Sequence, residues 1–264
     1  MKMKILFLGT GAADTKIERY QKGEFIRRYS SALIDGELLI DPGPHVFHFA
    51  ENEGRPNALD NVKNIIVTHS HRDHFCEETV YRLSQKRKIT LWADPVCKDM
   101  LAEKYGESIF ENVAFVETAV RKSYEIGGYK VLPLRANHYT GKDAETARVY
   151  IIEKDGRELF YGTDTSGYPT ESWNILRKHP INLMVMELTC GKKAYDDFRI
   201  FEHTTLELLE FMMRVIKKYG YFAQDVRYVT THMAVTLHEP HEELKETLGA
   251  LGIVPAYDGF ETEV

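Results

Sequence analysis

Thr68-His69-Ser70-His71-Arg72-Asp73-His74 packs three histidines and an aspartate into six residues. The apolar run Ile65-Ile66-Val67 before it reads as a short buried strand, and Glu77–Gln85 after it as a helix. Neutral imidazole and carboxylate are ligands that suit zinc, manganese or iron. On a loop leaving a strand, this spacing lets His69 and His71 turn toward one ion while Asp73 and His74 turn toward a second. Two ions about 3.5–4 Å apart can share a hydroxide nucleophile and clamp a phosphorus or carbonyl centre, so hydrolysis is the expected chemistry. A lone histidine is ordinarily a solvated loop group or a satisfied core residue. Four ligand-type residues in six, placed directly after a rigid strand, do not fit that description.

The H-x-H-x-D-H string, about 70 residues into the chain, resembles the signature of the metallo-β-lactamase superfamily. The resemblance implies a third histidine, a bridging aspartate and a last histidine, each on a loop after a strand. Tyr129–Ala136 reads as a strand and ends at Asn137-His138-Tyr139, which makes His138 the third histidine. Val149–Ile152 and Leu159–Tyr161 form a hairpin turning at Asp155-Gly156 and lead to Asp164, the implied bridge. The β-rich run Val226–Thr231 leads into His232, the implied last ligand. The resemblance spans Leu8-Gly9-Thr10-Gly11-Ala12-Ala13 to Ala256-Tyr257-Asp258-Gly259. It implies an α/β, four-layer αββα sandwich: two mixed β-sheets face to face, helices outside, metals in a cleft at one edge. Helical patterns at Glu77–Gln85, Pro95–Tyr105, Glu171–Lys178, Thr205–Lys218 and Pro240–Leu248 alternate with the strands, as an α/β unit requires.

Composition fits one such domain over residues 1–264, with 43% hydrophobic content and no linker, repeat or low-complexity segment. Met1-Lys2-Met3-Lys4-Ile5-Leu6-Phe7-Leu8 imitates a signal peptide, but its apolar run is too short and reads as the first buried strand. No stretch approaches membrane-spanning length. Cys76, Cys97 and Cys190 are scattered and odd in number, so a reducing cytoplasm is expected. Cys76 reads as a small buried hydrophobe that could approach the cleft. A net charge of −6 with interspersed signs does not indicate a broad nucleic-acid surface.

Within the superfamily, oxygen-reducing diiron relatives carry a glutamate where His71 stands, and glyoxalase-type thioesterases follow the motif with glycines rather than Phe75-Cys76-Glu77. Gly9-Thr10-Gly11 and Arg27–Asp35 instead resemble the phosphodiesterase branch. That branch includes tRNA 3′-processing endonucleases and the cyclic-phosphate phosphodiesterases accompanying carbon-phosphorus lyase. Bacterial-type tRNA endonucleases insert a long arm between the third histidine and the bridging aspartate. Here one hairpin separates His138 from Asp164, so small or cyclic phosphodiesters are the expected substrates and nucleic acid is not. The carbon-phosphorus lyase relative also carries a structural zinc on cysteines soon after its first strand. Asp14–Arg28 has no cysteine, so a differently built loop is expected there. A lactone or ester hydrolase, a tRNA 3′-endonuclease-like nuclease and a non-catalytic metal-binding scaffold stay open. So do zinc, manganese, iron or nickel as the two divalent ions, and a homodimer whose second subunit completes the cleft.

Thr204 with Glu207 reads as a capping box opening a helix whose Leu206, Leu209, Met213 and Ile216 face a core and which ends before Gly220. His203 is then held at a helix N-terminus, and the resemblance gives it the role of protonating the leaving oxygen or holding the phosphate. The same resemblance makes Asp73 the group that orients the hydroxide. Asp41, in Asp41-Pro42-Gly43, should brace the site rather than bind metal. Arg27 and Arg28 read as either solvated or an arginine fork for a dianion. Gly9-Thr10-Gly11 reads as a tight turn near the metals. His45 and His48 read as non-ligands, and His179 lacks a ligand context. His238 and His241 read as solvated or lining the cleft rim.

Overall fold

In β1 (Lys4–Gly9), Ile5 and Phe7 face one way, Leu6 and Leu8 the other, and all four are buried, so this strand needs a packed layer on both sides. The computed structural model supplies them, and it describes residues 3–17, 24–193 and 198–264. Met1 and Lys2 of the leader-like opening and residues 18–23 of the cysteine-free stretch lie outside the described residues. The chain runs through β2 (Ser31–Ile34), β3 (Leu38–Ile40), α1 (Val46–Asn52), β4 (Asn64–Ile66), α2 (Glu77–Ser84), β5 (Ile89–Ala93), α3 (Pro95–Tyr105) and β6 (Val113–Glu117). There follow β7 (Tyr124–Ile126), β8 (Tyr129–Arg135), β9 (Arg148–Lys154), β10 (Arg157–Gly162), α4 (Thr170–Leu176) and β11 (Ile181–Glu187). The last elements are α5 (Leu206–Tyr219), β12 (Arg227–Thr231), α6 (His241–Gly249), β13 (Ile253–Pro255) and β14 (Glu261–Glu263).

Among the described residues the strands form two seven-stranded mixed sheets, ordered β14-β1-β2-β3-β4-β5-β6 and β13-β12-β11-β10-β9-β8-β7. In each sheet the pairing is antiparallel toward one edge and parallel toward the other. The layer between the sheets is built from alternate residues of both, among them Phe7, Ile34, Leu38 and Ile40 against Val131, Ile152, Leu159 and Val185. The outward residues of the first sheet meet α1, α2 and α3, and those of the second meet α4, α5 and α6. This is the expected αββα sandwich.

The Asp155-Gly156 hairpin has both turn residues at positive φ, 51° and 74°, as a twist-matched two-residue turn demands. Gly9 and Gly11 answer to a different need from the tight turn expected. A Cβ on Gly9 would meet Tyr29 O at 2.0 Å and one on Gly11 would meet Arg27 O at 2.6 Å, so these glycines let two chain segments touch. The helix cap is displaced by one residue, and with Leu208 three residues on it is a single N-cap rather than a capping box. Thr205 is the N-cap of α5 and its hydroxyl accepts from Leu208 N, while Thr204 hydrogen-bonds to Thr165 O. Val46–Asn52, after the Asp41-Pro42-Gly43-Pro44 turn, is a helix the sequence pattern had not marked.

Candidate metal centre and active site

Four loops meet at one edge of the sandwich, each leaving the C-terminal end of a strand. Residues 68–74 follow β4 of the first sheet, and His138, Asp164 and His232 follow β8, β10 and β12 of the second. Tyr150 Oη hydrogen-bonds to Val67 O and Arg148 N to Thr68 O at 3.0 Å, so the second sheet holds the start of the histidine loop directly.

All seven sequence-predicted ligands come together. His74 Nε2 lies 3.2 Å from His232 Nε2, 3.3 Å from Asp73 Oδ2 and 2.9 Å from Asp164 Oδ2. His232 Nε2 is 3.2 Å from the same Asp164 oxygen. On the other side, His138 Nε2 is 3.1 Å from His71 Nδ1 and 3.9 Å from Asp164 Oδ1, and His69 completes a group with those two histidines. Asp164 thus turns one oxygen toward each group. Ring nitrogens this close suit a shared cation, because facing lone pairs repel when nothing lies between them. His69 Nε2 is buried without a hydrogen-bond partner among the described residues, which also fits a metal-ligand nitrogen.

Charge in the cluster is balanced the same way. Burial would push the His74 pKa down, but Asp164, Asp73 and Asp41 outweigh it and hold the ring well above its ordinary value. Burial would raise the carboxyls, yet Asp164 beside His232 and His74, and Asp73 beside His74 and His232, stay well below theirs. His69 is driven well below by burial and then by the His74 charge. The pocket stabilises anionic oxygens and calls for positive charge among them, which is the donor chemistry divalent ions fit.

The ligands are held from behind. His74 Nδ1 donates to Asp41 Oδ2 at 2.8 Å, and Thr68 N and Oγ1 donate to the same carboxylate at 2.7 and 2.9 Å, confirming Asp41 as a brace. His232 Nδ1 meets Thr189 Oγ1 at 2.8 Å, and that hydroxyl donates on to Glu187 Oε2. Glu187 Oε2 also accepts from His203 Nδ1 at 3.1 Å, and Oε1 from Thr165 N and Thr204 N. Asp41, Asp164 and His232 all have φ between 51° and 58°, a left-handed conformation unusual for non-glycine residues. Gly43 allows the brace its place, since a Cβ there would lie 2.4 Å from Asp73 O.

His203 stands beside Asp164, with Nδ1 3.7 Å from Oδ1. Burial lowers its pKa, but Glu187, Asp164 and Glu202 raise it overall to about 9. It reaches this position from the segment before α5, ahead of the N-cap, rather than from the first turn of the helix. The histidine-aspartate cluster opens into a cleft of about 300 Å³ lined also by Ala12, Ala13, Asp14, Phe198, Arg199 and Glu202.

Other sequence candidates stand elsewhere. Arg27 and Arg28 are buried, neither solvated nor a substrate fork. Arg27 binds Thr10, Ala256 O and His241 Nδ1, and Arg28 binds Asp258, Glu53 and His48. His45 accepts from Tyr29 N and stacks on its ring, and His179 pairs with Glu158. His238 is buried rather than solvated, with Nε2 on Leu188 O. Cys76 is only partly buried and serves as the N-cap of α2. Glu187 and Thr189 escaped the sequence reading, although a glutamate ending the apolar run Ile181–Met186 was a readable signal. Glu145, Phe198 and Arg199 escaped it as well.

A family model described as the beta-lactamase superfamily domain matches residues 37–233, from before β3 to just past His232. The chain belongs to the beta-lactamase superfamily. It is a hydrolase of the metallo-β-lactamase fold with histidine and aspartate clusters suited to divalent metal ions. Solved structures with this fold include a diphosphatase from the PhnP family, 21% identical, covering 99% of this chain and 98% of that one at a TM-score of 0.73. The metallo-beta-lactamase fold protein YhfI from Bacillus subtilis is 14% identical over 100% of both chains, at a TM-score of 0.72. Human tRNase Z, short form, is 17% identical over 98% of each, at a TM-score of 0.67. These likenesses show the fold that the sequence led one to expect. No curated protein matches the chain. Among the described residues no helix is long and apolar enough to cross a membrane.

Proposed function

We propose that this chain is a single-domain, cytoplasmic phosphodiesterase that uses two divalent metal ions, zinc or manganese before iron or nickel, on small or cyclic phosphodiesters. The observation that carries the proposal is Asp164, whose Oδ2 faces His74 and His232 while its Oδ1 faces His138. In this reading His69, His71 and His138 would hold one ion, Asp73, His74 and His232 would hold the other, and Asp164 would serve both. When bound, the ions would supply Lewis acidity and a nucleophile at neutral pH.

The protein's own groups divide the remaining work. Asp73 orients the attacking oxygen by accepting its hydrogen bond. His203, with Nδ1 held by Glu187, has Nε2 left to donate a proton to the departing alkoxide. Thr189 and Glu187 keep Nδ1 of His232 protonated, so that Nε2 presents its lone pair. Arg199 at the cleft wall meets the anionic substrate. A cleft of about 300 Å³ suits a small molecule, and Asp14 and Glu202 in its lining disfavour a long polyanion such as tRNA. The PhnP-family neighbour, described as a diphosphatase, supports hydrolysis at phosphorus at this site.

The test is hydrolysis of bis(p-nitrophenyl) phosphate by chelated protein, then by protein reconstituted with zinc or manganese, beside a monoester and a lactone. Metal-restored cleavage of the diester is expected. Cleavage of the lactone alone would move the assignment to an ester hydrolase, and silence on all substrates would leave a metal-binding scaffold.

A further inference from the structure

Ser70 lies between the candidate ligands His69 and His71 and is buried, with its side chain turned to another task than ligation. Its N–H donates to Glu145 Oε1 at 2.7 Å and its hydroxyl to Glu145 Oε2 at 2.6 Å. Lys142 Nζ donates to the same hydroxyl at 2.6 Å and reaches Met100 Sδ of α3 at 3.6 Å. Glu145 and Lys142 belong to the loop between β8 and β9 that also carries His138. The segment supplying the third histidine therefore turns back and grips the peptide joining the first two.

We propose that Glu145, backed by Lys142, is a positioning residue for the histidine-rich metal position, fixing the His69-Ser70-His71 backbone so that three rings from two chain segments converge. The inference rests on the two-ion reading above. Other support at this position is uneven: His69 Nδ1 meets Thr68 Oγ1 at 3.1 Å, a hydroxyl held in turn by Asp41, whereas His138 Nδ1 has Glu202 at 3.5 Å, a carboxylate whose side chain is 45% exposed. Bonds to an ionised carboxylate are about twice as strong as neutral ones, and two of them fix the serine in direction as well as distance. The Lys142 ammonium offsets the carboxylate charge, so Glu145 acts by holding the backbone rather than by attracting the cation. Preorganised ligands spare the bound state an ordering cost that loose ligands pay in affinity.

The experiment is a cobalt(II) titration of the chelated full-length protein, followed by visible absorbance and calorimetry without substrate. His71→Ala and Asp73→Ala identify which binding step belongs to which position. Glu145→Ala is expected to weaken the His71-dependent step by about 10- to 100-fold, the range seen when groups supporting metal ligands are removed, and to leave the Asp73-dependent step unchanged. Ser70→Ala, a milder change that keeps the backbone N–H hydrogen bond to Glu145, should shift the same step less. Glu145→Gln, which keeps one acceptor oxygen, should fall between wild type and Glu145→Ala. Equal shifts of both steps, or none, in Glu145→Ala and Ser70→Ala would overturn the proposal. A single binding step would sink the two-ion reading instead, and the clasp would then stand or fall on whether Glu145→Ala weakens that step. Diester inactivity with normal two-step binding would count against the phosphodiesterase alone.

Discussion

The two halves of the proposed metal centre are built differently. Around His74 and His232 each ring has its second nitrogen engaged, by Asp41 in one case and by Thr189 leading to Glu187 in the other. At the histidine-rich position His69 is engaged in the same way, by Thr68 leading to Asp41, but His138 faces the half-exposed Glu202 at 3.5 Å, and the backbone is gripped at Ser70. The first half is held through its rings, the second through one ring and its main chain. A ring held at its second nitrogen keeps its tautomer and direction whether or not an ion is present, whereas a ring with a weaker partner can still turn. The His74 half is the more rigid in its side chains, and the His138 side the more adjustable.

The carboxylate common to both halves should matter most. Asp164→Ala is expected to lower metal content at both positions and to cut diester cleavage by at least about 10²- to 10³-fold, the scale of losing a principal electrostatic contact. Elemental analysis beside initial rates checks this, and retention of two ions would break the idea of a shared bridge. His203→Ala separates chemistry from binding. Turnover should drop by about 10²- to 10⁴-fold, as for a general acid, while metal content stays intact. If that variant lost an ion, His203 would have to be counted among the ligands. Asp41→Asn loosens His74 directly and His69 only through Thr68, so calorimetry should show a loss of about 10- to 100-fold in affinity at the Asp73-dependent step and a smaller one at the His71-dependent step. The smallest effect is predicted for Glu202→Gln. That carboxylate is half exposed and 3.5 Å from His138, so its removal should change affinity at the histidine-rich position only a few-fold, as weak solvated pairs do. A large effect would mean that His138 depends on its ring partner as His74 does.

What could be read in the sequence follows the same division. A candidate ligand must be a particular residue type at a strand end, so His69, His71, Asp73, His74, His138, Asp164 and His232, which the fold gathers at one edge, could all be named in order. Alternating burial made the sandwich legible too, as in Tyr129–Arg135. Partners joined only by the fold could not be named. Nothing near Ser70 in the sequence points to Glu145, and Thr189 reads as an ordinary strand-end threonine. Arg27 and Arg28 misled because exposure is inferred from charge, while here carbonyls, Thr10, Asp258 and neighbouring histidines satisfy buried guanidinium groups. The helix start at Thr205 slipped because two adjacent threonines compete to cap it, and Thr204 is drawn away to Thr165 and Glu187.

The division of ligands between the sheets has a mechanical side. The 68–74 loop hangs from the first sheet, and His138, Asp164 and His232 hang from the second. Each proposed ion position draws on both, so a metal seated there is also a rivet across the sandwich. Stripping the ions should release one rim of the molecule while the packed interior between the sheets holds. Amide exchange would then quicken first in the loops after β4, β10 and β12, and melting would fall to a lower temperature with the secondary structure still in place below it.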